Sequence, residues 1–228
     1  MDLLEKFEDD DKMNNLFQYI ARTKIKDKVF QEDFIYNKQY VFKSIFDHEL
    51  CNKIVKECID INEWVSETNS LHYQYKYIDI EKLSIDTFKN ILTIIYNKIP
   101  ELSDLYELEN VKLEITQLVI IKNDENNDYF IRNLKDVDFL KFTILLNSQD
   151  EFEGGGIEFS IYNPTVIDIS NSSLSTHERM NKIINLQKGD ICIHGSLFYR
   201  NNNITKGSMY SLVGYIKPVS VLEVVFNY

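Results

Sequence analysis

The glycines of this chain are confined to its second half. All seven lie between Gly154 and Gly214, and the first 153 residues contain none. Glycine adopts positive φ angles without strain and weakens helices, so it marks turns rather than long helices. The distribution therefore predicts a front part that tolerates helices and a back part built from short elements joined by tight turns.

The back part also has the periodicity of β-strands. Val111, Leu113 and Ile115 alternate with Lys112 and Glu114, so successive side chains point to opposite faces. Further strand-like runs cover residues 139–146, 157–161, 165–169, 183–186, 190–194, 209–216 and 219–226. About eight short strands separated by turn signals predict a sandwich or jelly roll of two antiparallel sheets. The predicted fold class is α+β, mainly β, with its core in residues 111–228.

Residues 36–110 have the pattern of supporting helices, which we expect to pack on the outside of one sheet. Strand-like runs at residues 40–46 and 71–77 accompany these helices. Asp47 is a candidate N-cap for the first helix. The apolar stripe of that helix consists of Leu50, Ile54, Cys58 and Ile61. Ser84 is a candidate cap for a second helix, which we expect to end before Pro100.

Residues 1–35 are strongly charged and carry apolar side chains at helical spacing, which predicts a charged helical N-terminal arm. The remaining residues, 36–228, are expected to form a single domain. The N-terminal residues lack the basic segment and apolar run of a signal peptide.

The charge balance disfavours a nucleic-acid-binding protein, because 36 acidic residues outnumber 25 basic ones and the formal net charge is −11. No apolar run approaches the roughly 20 residues of a membrane span. The three cysteines, widely spaced and odd in number, suit a reducing compartment. We therefore expect a cytoplasmic protein that binds neither nucleic acid nor membrane.

The common motifs for phosphate and zinc binding are absent from the sequence, which has no G-x-G-x-x-G, Walker loop, C-x-x-C or H-E-x-x-H. Its four histidines, His48, His72, His177 and His194, are isolated along the chain. An isolated histidine is more often a packed or surface residue than a metal ligand.

Three blocks of the back part occur in a recognisable order. A strand ending in Leu146-Asn147 leads to Phe152-Glu153-Gly154-Gly155-Gly156-Ile157-Glu158-Phe159. Then come Lys188-Gly189-Asp190 with the run to Tyr199, and Ile204-Thr205-Lys206-Gly207-Ser208-Met209-Tyr210. This order resembles the iron(II)/2-oxoglutarate dioxygenases of the prolyl- and lysyl-hydroxylase type. The resemblance covers about residues 111–218 and implies a double-stranded β-helix, or jelly roll, with supporting N-terminal helices.

The resemblance also implies four anchor positions for iron(II) and 2-oxoglutarate. In the family, a His-x-Asp pair and a later histidine bind the metal, and a basic residue binds the distal carboxylate of 2-oxoglutarate. The corresponding positions in this chain are Leu134, Asp136, Tyr199 and Met209. Since Asp136 is the only one of the four with the residue type that the family uses, the resemblance implies a vestigial pocket without catalytic residues, and we expect neither a metal nor a cofactor.

Two histidines near these positions are weaker candidates for a rebuilt metal site. His194 lies five residues before Tyr199, and we interpret it as a strand residue near the pocket. His177 lies in a loop, and loops rarely rebuild a metal triad together with the partners that orient it. No histidine lies between His72 and His177, so no shift of the alignment restores His-x-Asp.

If the alignment is right, the four pocket positions converge in the mouth of the barrel. Leu134 and Met209 are then expected to supply apolar lining. A buried carboxylate needs donors, so we expect a hydrogen bond, direct or through one water, from the Tyr199 hydroxyl to Asp136. Lys135 or Arg200 would supply charges at the rim. Alternatively, Asp136 turns to solvent.

Three functional hypotheses are compatible with these residues. The preferred one is a dioxygenase-like pseudoenzyme that acts as a structural or partner-binding module, with another protein or a second copy of itself as the partner. A second is an active 2-oxoglutarate-dependent prolyl or lysyl hydroxylase that uses iron(II) and 2-oxoglutarate at a non-standard site. A third is a binding module whose cleft recognises a peptide or glycan.

Overall fold

The computed structural model describes residues 39–68, 74–106, 112–125, 140–162, 179–195 and 198–218. Within these ranges the chain forms two β-sheets and two α-helices. The predicted N-terminal arm, the predicted strands at 165–169 and 219–226, and the pocket positions Leu134 and Asp136 lie outside the described residues.

Eleven strands are present in the described part of the chain. They are β1 (Gln39–Phe42), β2 (Val65–Thr68), β3 (Gln74–Asp79), β4 (Leu113–Asp124), β5 (Leu140–Leu145), β6 (Phe152–Gly154), β7 (Ile157–Tyr162), β8 (Arg179–Ile184), β9 (Ile191–His194), β10 (Phe198–Asn201) and β11 (Ile204–Pro218). The major sheet has the order β1-β9-β5-β11-β4-β3-β2, with β6 paired to β11, and the minor sheet has the order β10-β7-β8. Every pairing is antiparallel.

This arrangement confirms the predicted fold class, which is mainly β with a jelly-roll core and supporting helices. The minor sheet packs on one face of the major sheet, and the helices pack on the other. The major sheet is wider than the core predicted from the sequence, because β1, β2 and β3 come from the segment assigned to helical support. β1 pairs with β9, and β3 pairs with β4. These pairings cover backbone groups of β9 and β4 that would otherwise form an open edge.

The first helix, α1, spans His48–Ile61 and begins as the sequence predicts. The side chain of Asp47 accepts a hydrogen bond of 2.7 Å from the backbone N–H of Leu50, which satisfies one free donor of the first turn. The face turned to the sheet buries Leu50, Cys51, Ile54 and Cys58. All three cysteines of the chain are free and buried, in keeping with their use as small hydrophobic residues.

The second helix, α2, spans Ile85–Leu105, so the expectation that it ends before Pro100 was wrong. The helix continues because Leu102 in its last turn and Tyr106 directly after it are buried against the sheet, both at 1% exposure. The Tyr40 hydroxyl also donates a 3.1 Å hydrogen bond to the carbonyl of Leu105. This packing outweighs the backbone hydrogen bond that proline removes. Neither described helix has the length and apolar character needed to cross a membrane.

The major sheet thus separates two apolar layers. Between the sheet and the helices, the layer includes Ile54, Ile91, Ile120, Phe142, Ile144 and Leu212. Between the two sheets, a smaller layer contains Leu145, Phe152, Ile157, Phe159, Ile184, Leu186, Cys192, Tyr199, Ile204 and Met209. The second layer is the one that surrounds the candidate site.

Candidate functional site in the cavity between the sheets

A cavity of about 50 Å³ lies between the two sheets. Alternate residues of three neighbouring strands of the major sheet form one wall: Ile121 and Asn123 on β4, Lys141, Thr143 and Leu145 on β5, and Met209, Ser211 and Val213 on β11. Ile157 and Ile184 of the minor sheet lie on the opposite side. The strand alternation brings these side chains together, since residues two apart share a face of the sheet.

The glycine triplet shapes the border of this cavity. Gly154, Gly155 and Gly156 have φ angles of +90°, +77° and +92°, which side chains with a Cβ rarely adopt. A Cβ at Gly154 would lie 2.3 Å from the carbonyl oxygen of Asn203. The three glycines therefore reflect the tight path of the backbone from β6 to β7, with Gly154 and Gly156 lining the cavity.

Tyr199, which the resemblance aligns with the second metal-binding histidine, is a core residue of β10. It pairs with Phe159 of β7 and is 2% exposed. Its hydroxyl oxygen accepts a hydrogen bond from Nζ of Lys141. The same ammonium lies 4.6 Å from the ring centroid of Tyr199 and 5.2 Å from that of Tyr215, so both rings also make cation–π contacts with it.

Lys141 is one residue of this site that sequence reasoning missed. It lies on β5 between Tyr215 of β11 and His194 of β9, and it is 9% exposed. Lysine is almost never this buried unless it is paired. The signal was present in the sequence, because Lys141 is the one charged residue of an apolar strand and shares its inward face with Thr143 and Leu145.

Met209, which the resemblance aligns with the basic residue that binds 2-oxoglutarate, also lies in the cavity wall. It is on β11, opposite Asn123 of β4, and packs in the same apolar cluster as Tyr199. The structure therefore places two of the four predicted pocket positions around one apolar layer. The convergence of Leu134 and Asp136 with them, and the hydrogen bond between Asp136 and Tyr199, stay predictions because these residues lie outside the described ranges.

His194 belongs to an aromatic cluster beside Lys141. Its ring centroid lies 4.6 Å from that of Tyr199 and 5.0 Å from that of Phe159. Its Nδ1 donates a 2.8 Å hydrogen bond to the carbonyl oxygen of Gly195. The ring is 1% exposed, and its contacts fit the interpretation of a strand residue packed near the pocket. The other weak candidate, His177, lies outside the described residues.

Arg200, expected at the rim, makes an ion pair across the minor sheet. Its Nε and Nη2 lie 2.7 Å and 2.6 Å from Oε2 of Glu158, which is its register partner on β7. The pair links β10 to β7 at the residue next to Tyr199. The other expected rim charge, Lys135, lies outside the described ranges.

Asn123 is a second residue of the site that the sequence did not single out. It is 4% exposed and lines the cavity opposite Met209. Its Oδ1 is buried, and no donor in the described structure reaches it. A buried acceptor without a donor is uncommon in native proteins and calls for an explanation.

The described residues do not fit an iron(II) site. They contain no group of three or more histidine, cysteine, aspartate or glutamate side chains placed to share a metal ion. The Tyr199 oxygen accepts a hydrogen bond from an ammonium, and Met209 offers no charge to a carboxylate. Burial raises the pKa of the Cys192 thiol to about 12, so the thiolate that metals require is disfavoured.

Comparisons with known proteins rest on structure. No protein-family model and no curated protein sequence matches the chain. Among solved structures, a prolyl hydroxylase from Trichoplax adhaerens, in complex with a hypoxia-inducible-factor peptide, superposes with a TM-score of 0.58 at 9% identity and covers 93% of this chain and 96% of its own. A prolyl-4-hydroxylase from Pseudomonas putida gives a TM-score of 0.52 at 11% identity, with coverages of 83% and 97%.

The fold is that of the 2-oxoglutarate/iron(II) oxygenases. A third structure with this fold, an epimerase of nogalamycin biosynthesis, was determined in complex with Fe³⁺ and α-ketoglutarate. It has a TM-score of 0.52 at 11% identity, and the match covers 83% of each chain. The predicted resemblance is therefore confirmed for the fold. Fe³⁺ and α-ketoglutarate are bound in that epimerase structure. In this chain, two of the four positions that the resemblance implies for such groups hold Tyr199 and Met209.

Proposed function

We propose that this protein is a catalytically inactive member of the dioxygenase fold, a pseudoenzyme that acts as a structural or partner-binding module. The hydrogen bond between Lys141 and Tyr199 is the observation that carries the proposal. At position 199 the family would have a metal-binding imidazole. In this chain a phenol oxygen occupies the position and accepts a hydrogen bond from a buried cation.

This pair disfavours a metal ion in two ways. A neutral phenol is a poor ligand for iron(II), which prefers imidazole and carboxylate ligands. A dication bound at the Tyr199 oxygen would also be repelled by the ammonium of Lys141, and the low dielectric of a buried site strengthens the repulsion. The protein supplies its own positive charge beside the position at which the family binds a metal.

Met209 supports the same proposal at the other anchor. A 2-oxoglutarate carboxylate needs a charged, hydrogen-bonding partner, usually arginine or lysine. The thioether of Met209 offers neither and contributes its side chain to the apolar cluster between the sheets. The loss of this anchor is independent of the loss of the metal ligands, because it concerns the cosubstrate.

We further propose a protein as the partner, either a different protein or a second copy of this chain. The scaffold around the site is intact, including the glycine triplet and the two sheets. Apolar side chains are exposed on both helices, at Ile59 of α1 and at Ile85 and Tyr96 of α2. Light scattering of the purified chain, combined with capture from its native cells, distinguishes self-association from a different partner.

The deciding experiment is metal analysis of the full chain, purified after expression with added iron, together with a 2-oxoglutarate turnover assay. We expect substoichiometric iron and no succinate above the rate without protein. Stoichiometric iron with steady succinate formation would overturn the proposal in favour of an active hydroxylase with a non-standard metal site.

A matched pair of variants tests the role of the lysine. One carries Leu134→His, Tyr199→His and Met209→Arg, and the other carries the same changes with Lys141→Thr. If the ammonium excludes the metal, the second variant binds more iron than the first. Equal iron binding by both would show that Lys141 has no part in excluding the metal.

A further inference from the structure

The part of the cavity around Asn123 is lined by neutral polar and apolar side chains. Oδ1 of Asn123 is buried there, and no donor in the described part of the chain reaches it. Ser211 is 3% exposed and adds a hydroxyl group to the same cavity. Because a buried acceptor without a donor is destabilising, an occupant that donates a hydrogen bond to Asn123 gains affinity from it.

The strand register places these two polar groups close together. Asn123 is opposite Met209 on β11, and Ser211 is the next residue of β11 on that face, opposite Ile121. Diagonal neighbours on one face of an antiparallel pair are about 7–8 Å apart, and their Cβ atoms are somewhat closer. One small molecule can therefore contact both Asn123 and Ser211, with Ile121 and Met209 as apolar neighbours.

The size of the cavity limits what enters it. Its volume of about 50 Å³ holds roughly four water molecules. Four waters occupy about 120 Å³ in the liquid, which is the volume of a molecule of about five non-hydrogen atoms. Gln149, Gly154 and Asn185 line the cavity and are exposed, so the rest of a longer molecule can extend past them to solvent.

The charge of the lining favours a neutral occupant. Among the described lining residues none is acidic, and Lys141 is the one basic residue. Its ammonium donates to the Tyr199 hydroxyl. Lys141 is also opposite Tyr215, far along β11 from Met209, so a small molecule at Asn123 does not reach it. A cation at Asn123 finds no described counter-charge, and a carboxylate supplies no donor for its oxygen.

Hydroxyl groups fit this lining best among neutral groups, because each one both donates and accepts a hydrogen bond. We propose that the cavity binds the terminal diol of a small neutral polyol. One hydroxyl donates to Oδ1 of Asn123, and its neighbour bonds to Ser211. The inference rests on the proposed function, because Met209 lines the same cavity and a working dioxygenase needs this space for 2-oxoglutarate. The protein is then a binding module with a polyol as its ligand.

Ligand-observed NMR titration of the full chain with probes of equal size tests the ligand class. The probes are propane-1,2-diol, butan-2-ol with a single hydroxyl, butan-2-one with only an acceptor, propanamide, and 1-aminopropan-2-ol with an ammonium group. We expect propane-1,2-diol to bind at least tenfold more tightly than butan-2-one, with butan-2-ol between them. Equal or tighter binding of propanamide or 1-aminopropan-2-ol would overturn the inference, as would no binding of the diol because the cavity holds water only.

Erythritol tests whether a longer polyol enters by its diol end. Its further hydroxyl groups extend toward the exposed carboxamides of Gln149 and Asn185, so it is expected to bind more tightly than propane-1,2-diol. Weaker binding of erythritol than of propane-1,2-diol would contradict a polyol as the ligand.

Asn123→Leu tests the proposed acceptor. It is expected to weaken the binding of propane-1,2-diol at least tenfold, because leucine has a similar shape and no acceptor. Asn97→Leu is the matched control, since Asn97 is an exposed asparagine on α2, on the other side of the major sheet. In ¹H–¹⁵N spectra, the side-chain amide signal that Asn123→Leu removes should shift on titration with the diol. Unchanged affinity of Asn123→Leu, or an equal loss in Asn97→Leu, would contradict the assignment.

If Asn123→Leu does not fold, Ser211→Ala tests the same site with a smaller change. It is expected to reduce the preference for propane-1,2-diol over butan-2-ol severalfold, because it removes the partner of the second hydroxyl. Ser66→Ala, at an exposed serine of β2, is the control. An unchanged preference in Ser211→Ala would contradict the placement of the diol. Turnover of 2-oxoglutarate with iron would instead overturn the proposed function, so the two failures give different results.

Discussion

The two faces of the major sheet bury different kinds of residue, although the same strands supply both. On β5, Phe142 and Ile144 face the helices, whereas Lys141 and Thr143 face the cavity. On β11, Leu212 faces the helices and Ser211 the cavity. The helix-facing layer is continuous and apolar, which makes it the cohesive part of the domain. The cavity-facing layer retains polar groups, and proteins tolerate such departures from an apolar interior mainly at functional or strained sites.

The largest expected effect comes from breaking the helix-facing layer. Phe142 is fully buried, and Phe142→Ala is expected to lower the free energy of unfolding by about 3–5 kcal/mol. Its neighbour Thr143 borders the cavity, so Thr143→Ala removes few packed atoms. It should lower the free energy of unfolding far less than Phe142→Ala does. Urea denaturation of the two variants measures the difference. Equal losses would show that the two faces do not differ in cohesion.

An intermediate effect is expected from the Lys141–Tyr199 pair on the cavity-facing side. Lys141→Met leaves the Tyr199 hydroxyl without that donor and should lower the free energy of unfolding by about 1–3 kcal/mol. Combining it with Tyr199→Phe should restore part of the loss, because the variant then lacks both polar partners. A double-mutant cycle by urea denaturation gives the coupling energy. Strictly additive effects would mean that the hydrogen bond contributes no stability.

The smallest expected effect lies at the rim of the helix-facing side and depends on pH. Burial acts to raise the pKa of Asp124, but hydrogen bonds from Lys122, Lys76 and Ser208 outweigh it and lower the pKa to about 2. Because the folded-state pKa is below the unfolded value of about 3.9, the carboxylate stabilises the protein above that value. The stabilisation is lost as the pH falls from about 4 through about 2.

Asp124→Asn is therefore expected to flatten the dependence of Tm on pH in this window. Above pH ~5, the difference in Tm between Asp124→Asn and the wild-type protein should stay nearly constant. Asp60→Asn serves as the control, since Asp60 is an exposed carboxylate on α1. Thermal melts between acidic and neutral pH measure both variants. The same slope in Asp124→Asn and the wild-type protein would contradict the assigned role of these hydrogen bonds.

Several features followed directly from the sequence because they depend on local physics. The glycine triplet marks a backbone with positive φ, and Asp47 begins α1 with its side-chain cap. Strand alternation and the order of the three motif blocks gave the antiparallel jelly roll, which the solved structures confirm for the fold. The same local reasoning failed at Pro100, where burial of Leu102 and Tyr106 against the sheet keeps α2 helical.

The candidate site could be predicted only in part. The alignment with the dioxygenase family gave Tyr199 and Met209, and both lie in the layer between the sheets. Lys141 and Asn123 belong to no sequence motif. A lysine in an apolar run and an asparagine near a turn are common, so neither indicates a site by itself. What each contacts depends on strands far away in sequence, such as β10 for Lys141 and β11 for Asn123.

By itself the sequence determined the fold class, the turns and the first helix cap. It also shows Tyr199 and Met209 at the positions that the resemblance implies for a metal ligand and for the basic residue that binds 2-oxoglutarate. These features depend on residue identity and on the spacing of apolar residues, both of which can be read directly from the sequence. Only the tertiary structure decided that a buried ammonium donates to Tyr199 and that an unmatched amide oxygen faces the cavity. Both arise because the register of long-range strand pairs, rather than local propensity, brings side chains together across a barrel.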